Sequence, residues 1–257
     1  MFDRHNVCKA SGLKPAHQES FTRFALVGGI PKYWEFVEPR ATALDLAEGL
    51  FFGRSAFLED EPARTLRDEN ISGLTALSVL EAGGRGAEKP SEIASRLGTA
   101  QTNLGRTLQQ LLDASVLARE IPFGESLRTT KKTRYRIQDP ALRFWFQVYS
   151  PHRTRWQTYS QAEREKLIRD HASTVFEDYC RTQHPEAARY WEAGVEFDYV
   201  REEKARAVVS EVKFKRLSAA EQRQLKSHLA GSWQRSALSR QFRDVMFEIL
   251  DTSVLGN

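Results

Sequence analysis

Two strand-like runs late in the chain, residues 194–200 and 207–214, flank a charged turn at 201–206. They are expected to form two neighbouring strands of one sheet. Both runs carry ionisable groups, Glu196-Phe197-Asp198 in the first and Glu211-Val212-Lys213 in the second. Side chains two apart on a strand project to one side, so Glu211 and Lys213 share a face and Asp198 on the neighbouring strand can converge on it. The pair demands an α/β module around it. Helices are expected at 167–180, 219–229 and 236–243, with a further strand at 245–250.

The spacing has a chemical reading. Two hard carboxylates, Asp198 and Glu211, suit Mg²⁺ or Mn²⁺ and leave coordination positions for water and phosphate oxygens. Such a cation would stabilise charge on a phosphodiester and lower the pKa of a bound water. Lys213 can orient that water or stabilise developing negative charge. Glu177, offset from the apolar stripe Ile168, Val175, Phe176 and Tyr179 of its helix, can add a ligand or position a water. The plainer alternative is a surface ion pair on an edge hairpin.

Composition narrows the setting. A chain of 257 residues with 40% hydrophobic and 28% charged residues can bury a core, in one large or two to three small domains. The net charge of +4 and pI near 9.1 fit a polyanionic partner without requiring one. Cys8 and Cys180 form no CxxC, which argues against zinc and a disulfide framework and fits a reducing cytoplasm. No apolar run reaches the ~20 residues that span a bilayer. Residues 1–14 lack the apolar centre of a signal peptide.

Two blocks precede the α/β module. Residues 1–66 read as helical, with Gly28-Gly29 ending one helix and Pro31 opening the next. Residues 67–138 have the order of a winged helix. A first helix over 71–80 turns Ile71, Leu74, Leu77 and Leu80 inward, and Gly83-Gly84-Arg85-Gly86 stops it. Pro90 opens a second helix that Gly98 closes. A third runs from Asn103 to Asp113 with Leu104, Leu108, Leu111 and Leu112 inward. Strands at 116–123 and 133–137 then enclose a tip at 124–132. The outward face of the third helix carries Asn103, Arg106 and Gln110, which can reach base edges or phosphates. The wing carries Arg128, Lys131, Lys132 and Arg134, suited to a duplex backbone. A solvated helix face and turn, or a protein-docking module, are the alternatives. Residues 151–165 read as a polar connector. The Phe144-Trp145-Phe146 cluster reads as buried packing at a junction, with base stacking as the alternative.

A resemblance adds to these readings. Gly28-Gly29-Ile30-Pro31-Lys32-Tyr33, Tyr135-x-Ile137-x-Asp139-Pro140-x-Leu142-Arg143-Phe144-Trp145-Phe146, Phe176-Glu177 and Glu196-x-Asp198…Glu211-Val212-Lys213 occur in order and cover most of the chain. Together they resemble the C-terminal portion of a family of archaeal and bacterial ATPases related to signal-transduction-type P-loop ATPases. The resemblance implies an α+β multi-domain chain. Residues 1–66 would be a lid-like helical segment, 67–138 a winged helix, and 139–257 a nuclease-like domain of the PD-(D/E)XK (restriction-endonuclease-like) superfamily. It implies metal-binding and catalytic roles for Asp198, Glu211 and Lys213, and assigns Glu177 to the acidic position of the preceding helix. No G-x-x-x-x-G-K-[ST] occurs, so no ATP site is expected in this chain. The resemblance then implies a truncated or split member, or one that acts with an ATPase on another chain. DNA is the expected partner, and divalent-metal-dependent hydrolysis of its phosphodiesters the expected activity. A non-catalytic winged-helix module for DNA or protein docking is the alternative.

Overall fold

The computed structural model describes residues 17–54, 56–71 and 74–256, and within them an α+β chain with two sheets. Cys8 lies outside the described residues. The chain divides into two compact units. The first comprises Arg134–Ala172 and the described residues up to Arg119. The second comprises Glu120–Thr133 and the described residues from Ser173 onward.

The first unit opens with helices α1 (Gln18–Val27), α2 (Pro31–Trp34), α3 (Ala43–Ala47) and α4 (Glu61–Asp68). Gly28 caps α1 at φ 69°, and Pro31 occupies the first turn of α2, as its missing N–H allows. Next come α5 (Leu74–Gly84), α6 (Pro90–Leu97) and α7 (Gly105–Asp113), then a two-stranded sheet of β1 (Leu117–Glu120) and β2 (Arg134–Ile137). Helix α6 ends on Gly98 in the left-handed region at φ 61°. The order of three helices and two strands is therefore present.

One apolar position departs from expectation. Leu74 is 84% exposed, and α5 buries Ala76, Val79 and Leu80 instead. At 3.6 residues per turn Leu74 lies on the side of α5 opposite Ala76, Val79 and Leu80, so the i, i+3 stripe drifts off the buried face.

The unit continues through α8 (Pro140–Phe144), a π-helical turn at Trp145–Tyr149, the short α9 (Ser150–His152) and the first part of α10 (Gln161–Thr182). Asp139 caps α8 by accepting the Leu142 amide proton at 2.8 Å. Phe144 and Phe146 are core, and Trp145 is half-buried against them. Phe144 packs with Leu26, Phe51 and Trp156, while Phe146 packs with Val79, Leu80 and Leu111. Each fully buried aromatic contributes about 2–3 kcal/mol. Both phenylalanine rings are enclosed, so neither presents a face to a nucleobase. The expected polar connector at 151–165 is also corrected. Trp156 is buried there, stacked on Phe52 with ring centroids 3.8 Å apart, and α10 has already begun.

The second unit is built on a four-stranded sheet in the order β3 (Ala188–Glu192), β4 (Val195–Glu203), β5 (Arg206–Val212), β6 (Val245–Leu250). The first two pairings are antiparallel and β5–β6 is parallel, with α11 (Ala219–Arg235) in the crossover. Ser218 and Glu221 form a capping box at the start of α11. Phe197, Val200, Val209, Leu229 and Trp233 share one core. The segment Glu120–Thr133 meets the sheet at β3, where the Phe123 amide donates to the Arg189 carbonyl at 2.7 Å.

Three boundaries differ from those expected. The turn at 201–206 shrinks to Lys204-Ala205, both at positive φ (51° and 65°), as a two-residue hairpin needs to match strand twist. Arg201 lies inside β4 and donates to Glu248 at 2.8 Å. The expected helix at 236–243 is only a 3₁₀ turn at Ala237–Arg240, while α11 runs on to Arg235.

Candidate functional site

Asp198 owes its position to an irregularity in β4. Ala188 pairs with Val200 and Tyr190 with Phe197, so one residue of β3, Arg189, faces two of β4, Asp198 and Tyr199. That is a β-bulge, a device that re-aims a side chain. On the other side of β4 the ladder to β5 stops at Tyr199 and Ser210. Just beyond it the Asp198 carboxylate accepts the Val212 amide proton at 2.6 Å. A side chain here does the work of a ladder carbonyl, in the cleft between parting strands.

Glu211 precedes Val212 at the end of β5, and Lys213 follows it. Two residues apart, they meet as expected, with Lys213 Nζ 2.5 Å from Glu211 Oε1. The pair is half-buried, with side-chain exposures of 38% and 21%. β4 and β5 are the inner strands of the sheet, so the hairpin is not an edge one, while the ion pair of that alternative is present between Glu211 and Lys213.

The charges act on one another. Burial pushes the Asp198 carboxyl up to about 6, and the nearby Glu211 charge pushes the same way. The Val212 amide, Lys213 and Arg189 oppose that rise. Burial likewise pushes Glu177 on α10 up to about 7, helped by Asp198 and opposed by Arg189 and Lys213. Burial disfavours the Lys213 ammonium, yet the Glu211 hydrogen bond and the Asp198 and Glu177 charges raise its pKa above the usual lysine value. Glu177, Asp198, Glu211 and Lys213 thus form one electrostatic cluster within the second unit.

The donor set suits a hard divalent cation. Asp198 and Glu211 supply carboxylate oxygens, which is the one- or two-carboxylate pattern of a cation that keeps most of its waters. Among the described residues, no three His, Cys, Asp or Glu side chains close into a ready-made metal cage. Glu177 therefore belongs to the cluster by its field rather than as a third converging ligand.

The remaining expected residues are dispersed. Asn103 sits in a 3₁₀ turn, Gln101–Leu104, ahead of α7 rather than on the helix, and donates to Thr99 Oγ1 at 3.1 Å. Arg106 is exposed and Gln110 half-buried on α7. In the second unit Arg128 and Lys131 are exposed, and Lys132 pairs with Glu125 at 2.8 Å. Arg134, on β2 in the first unit, is 3.6 Å from Glu88.

Sequence reasoning passed over Arg189. It stands opposite the bulge, with Glu196 3.2 Å and Glu120 3.6 Å from its guanidinium. The available signal was the short run Tyr190-Trp191 ahead of Gly194, whose φ of 78° turns β3 into β4.

A family described as archaeal and bacterial proteins of unknown function, DUF234, matches residues 144–225, the stretch that holds all five of these site residues. The uncharacterized protein MJECL04 of Methanocaldococcus jannaschii is 25% identical over 146 residues, which is 54% of this chain and 31% of that protein. The chain therefore spans less than a third of the length of this relative in the matched region. No solved structure matches the chain at a significant level. Among the described residues no helix is long and apolar enough to cross a membrane.

Proposed function

We propose that the chain is a DNA-binding protein whose second unit is a PD-(D/E)XK nuclease-like module with divalent-metal-dependent phosphodiester hydrolysis. The observation that carries this reading is the coupling of Asp198, at the bulge and strand cleft, to Glu211, Lys213 and Glu177. A structural ion pair needs one carboxylate per cation. Here three mutually repelling carboxyls face two cations, Lys213 and Arg189, and Arg189 also pairs with Glu120 and Glu196. Negative charge stays in excess, and such crowding is costly unless a further positive charge completes it.

Asp198 and Glu211 would hold the Mg²⁺ or Mn²⁺. Bound there, the cation supplies charge neutralisation at the phosphate and a more acidic water. The Val212 amide fixes one Asp198 oxygen and so limits how the carboxylate can turn. Lys213, kept protonated by its partners, can donate to a phosphate oxygen or orient the attacking water. Glu177, its carboxyl pushed up to about 7 by burial, is only partly ionised near neutral pH, and that ionised form can take a proton from the water. In the first unit Arg106 and Gln110 would contact duplex, and in the second unit, taken by itself, Arg128, Lys131 and Lys132 would do so.

The test is nicking or cutting of DNA in Mg²⁺ or Mn²⁺, compared with EDTA, for wild type, Asp198→Ala and Glu211→Ala. Loss of cutting in both variants supports the site; cutting that survives both rejects it. One observation favours the non-catalytic alternative, a docking module that works with a separately encoded ATPase. Lys213 already satisfies Glu211, and no third ligand converges. Calorimetric titration with Mn²⁺ separates the readings: heat in wild type that vanishes in Glu211→Ala belongs to the enzyme, and no heat in either to the module.

A further inference from the structure

Arg189 is the cationic residue placed opposite the Asp198–Tyr199 bulge, on the edge strand of the sheet. Its main-chain carbonyl holds the Phe123 amide at 2.7 Å, so the segment carrying Arg128, Lys131 and Lys132 is pinned at this residue. Its side chain has two unlike acidic neighbours. Glu120 is nearly enclosed, with a side chain 9% exposed, and lies 3.6 Å away. Glu196, two residues before Asp198 on β4, is 46% exposed and lies 3.2 Å away. The enclosed partner, shared with Arg181 at 3.5 Å, attracts the guanidinium by charge, and the open partner accepts its hydrogen bond. The open partner sits where an incoming anion would compete for the same planar N–H fork. An exposed ion pair is worth little in water, so its exchange for a phosphate costs little.

We infer that Arg189 is a phosphate-contacting residue for the DNA strand that passes Asp198, and that the Glu196 carboxylate holds its place in the free protein. The inference rests on the nuclease-like reading for its substrate class, but it concerns binding and not cleavage. Arg189 acts beside the metal-binding carboxylates and links them to the cationic loop of the same unit.

The test is duplex DNA binding by the full chain, read by fluorescence anisotropy across a salt series in EDTA, so that no divalent cation takes part. Arg189→Gln is expected to weaken binding about tenfold and to flatten the salt dependence by about one counterion. Arg189→Lys keeps the charge but not the fork, and should fall between. Glu196→Gln removes the competing anion and should tighten binding several-fold, a gain that misfolding does not produce. Glu202→Gln, which removes an exposed charge elsewhere on β4, should leave affinity unchanged. Wild-type affinity in Arg189→Gln, weaker binding in Glu196→Gln, or equal tightening in Glu202→Gln would overturn the inference, as would a wild type that binds no duplex. The nuclease-like reading fails separately. If the Arg189 and Glu196 effects stand while wild type gives no heat with Mn²⁺, the metal site is wrong and the phosphate contact survives. If Mn²⁺ binding is lost in Asp198→Ala and the Arg189 effects are absent, only the phosphate contact is wrong.

Discussion

The Val212 amide and the Asp198 carboxylate meet at 2.6 Å just past the last ladder pair of β4 and β5, so the proposed metal ligand is also a structural acceptor. The two duties separate by substitution. Asp198→Asn keeps an oxygen for the Val212 amide and removes a charge that burial disfavours, so stability at pH 8 should equal or exceed wild type. Asp198→Ala strands the amide and should cost about 1–3 kcal/mol. Both should abolish the heat of Mn²⁺ binding. Urea unfolding checks the first pair of statements; an Asn variant as unstable as the Ala variant would show that the charge itself supports the fold.

Glu177 sets an unusual pH dependence. Its carboxyl is pushed from the usual 4.5 up to about 7 in the folded chain, so the folded state binds the proton more tightly than the unfolded state. By linkage, stability from this group is full below about 4.5 and is lost as pH rises to about 7. Glu177→Gln, neutral at every pH, should therefore stabilise the metal-free protein at pH 8, by something on the order of 1–3 kcal/mol, and much less at pH 4.5. Thermal melts of the two proteins in EDTA at both pH values give the comparison. An equal shift at both would mean that repacking, and not charge, is responsible.

Local chemistry made some of these elements readable. Pro90, Glu92 and Gly98 delimit α6 because a ring-locked φ, an acid in the first turn and a residue free to go left-handed are properties of single residues. The pairing of Glu211 with Lys213 follows from strand period alone. What the chain did not disclose depends on partners distant in sequence. Trp156 looks like part of a polar linker until Phe52 stacks on it, and Leu74 looks like core until the helix turns Ala76, Val79 and Leu80 inward on its opposite side. The bulge at Asp198 is visible only through the register of β3, a strand too short to announce itself, and Arg189 was hidden with it.

His171 shows the opposite linkage in the first unit. It is fully buried on α10, its Nε2 donating to the Ala25 carbonyl at 2.8 Å and its ring edge-on to Phe144 at 5.1 Å. Burial drives its pKa down to about 3, so the folded chain holds it neutral. The stability it supports is complete above the unfolded value near 6.5 and falls as pH drops toward 3. His171→Leu should lose about 1–3 kcal/mol at pH 7.5 by stranding the Ala25 carbonyl, and should flatten the acid limb of the stability curve. If the variant unfolds with the wild-type acid slope, other groups govern that limb.

Gly84 ends α5 against the π-helical turn, and a Cβ there would lie 2.4 Å from Phe146 Cβ and 2.7 Å from the Phe146 main-chain carbon. The obstacle includes backbone, which cannot rotate away as the tip of a flexible side chain would. Gly83 has nothing within 4 Å of the same added atom. The two positions are adjacent and similar in helix propensity, so the pair isolates the steric effect. Gly83→Ala should leave stability unchanged or raise it by about 1 kcal/mol. Gly84→Ala should lower it by about 1–3 kcal/mol or more, because Phe146 must give up its place among Val79, Leu80 and Leu111. Chemical unfolding of both variants reads the difference directly. A Gly84→Ala protein as stable as Gly83→Ala would mean that α5 and the Phe146 turn are free to separate, and that the tight approach at this contact is not required by the fold.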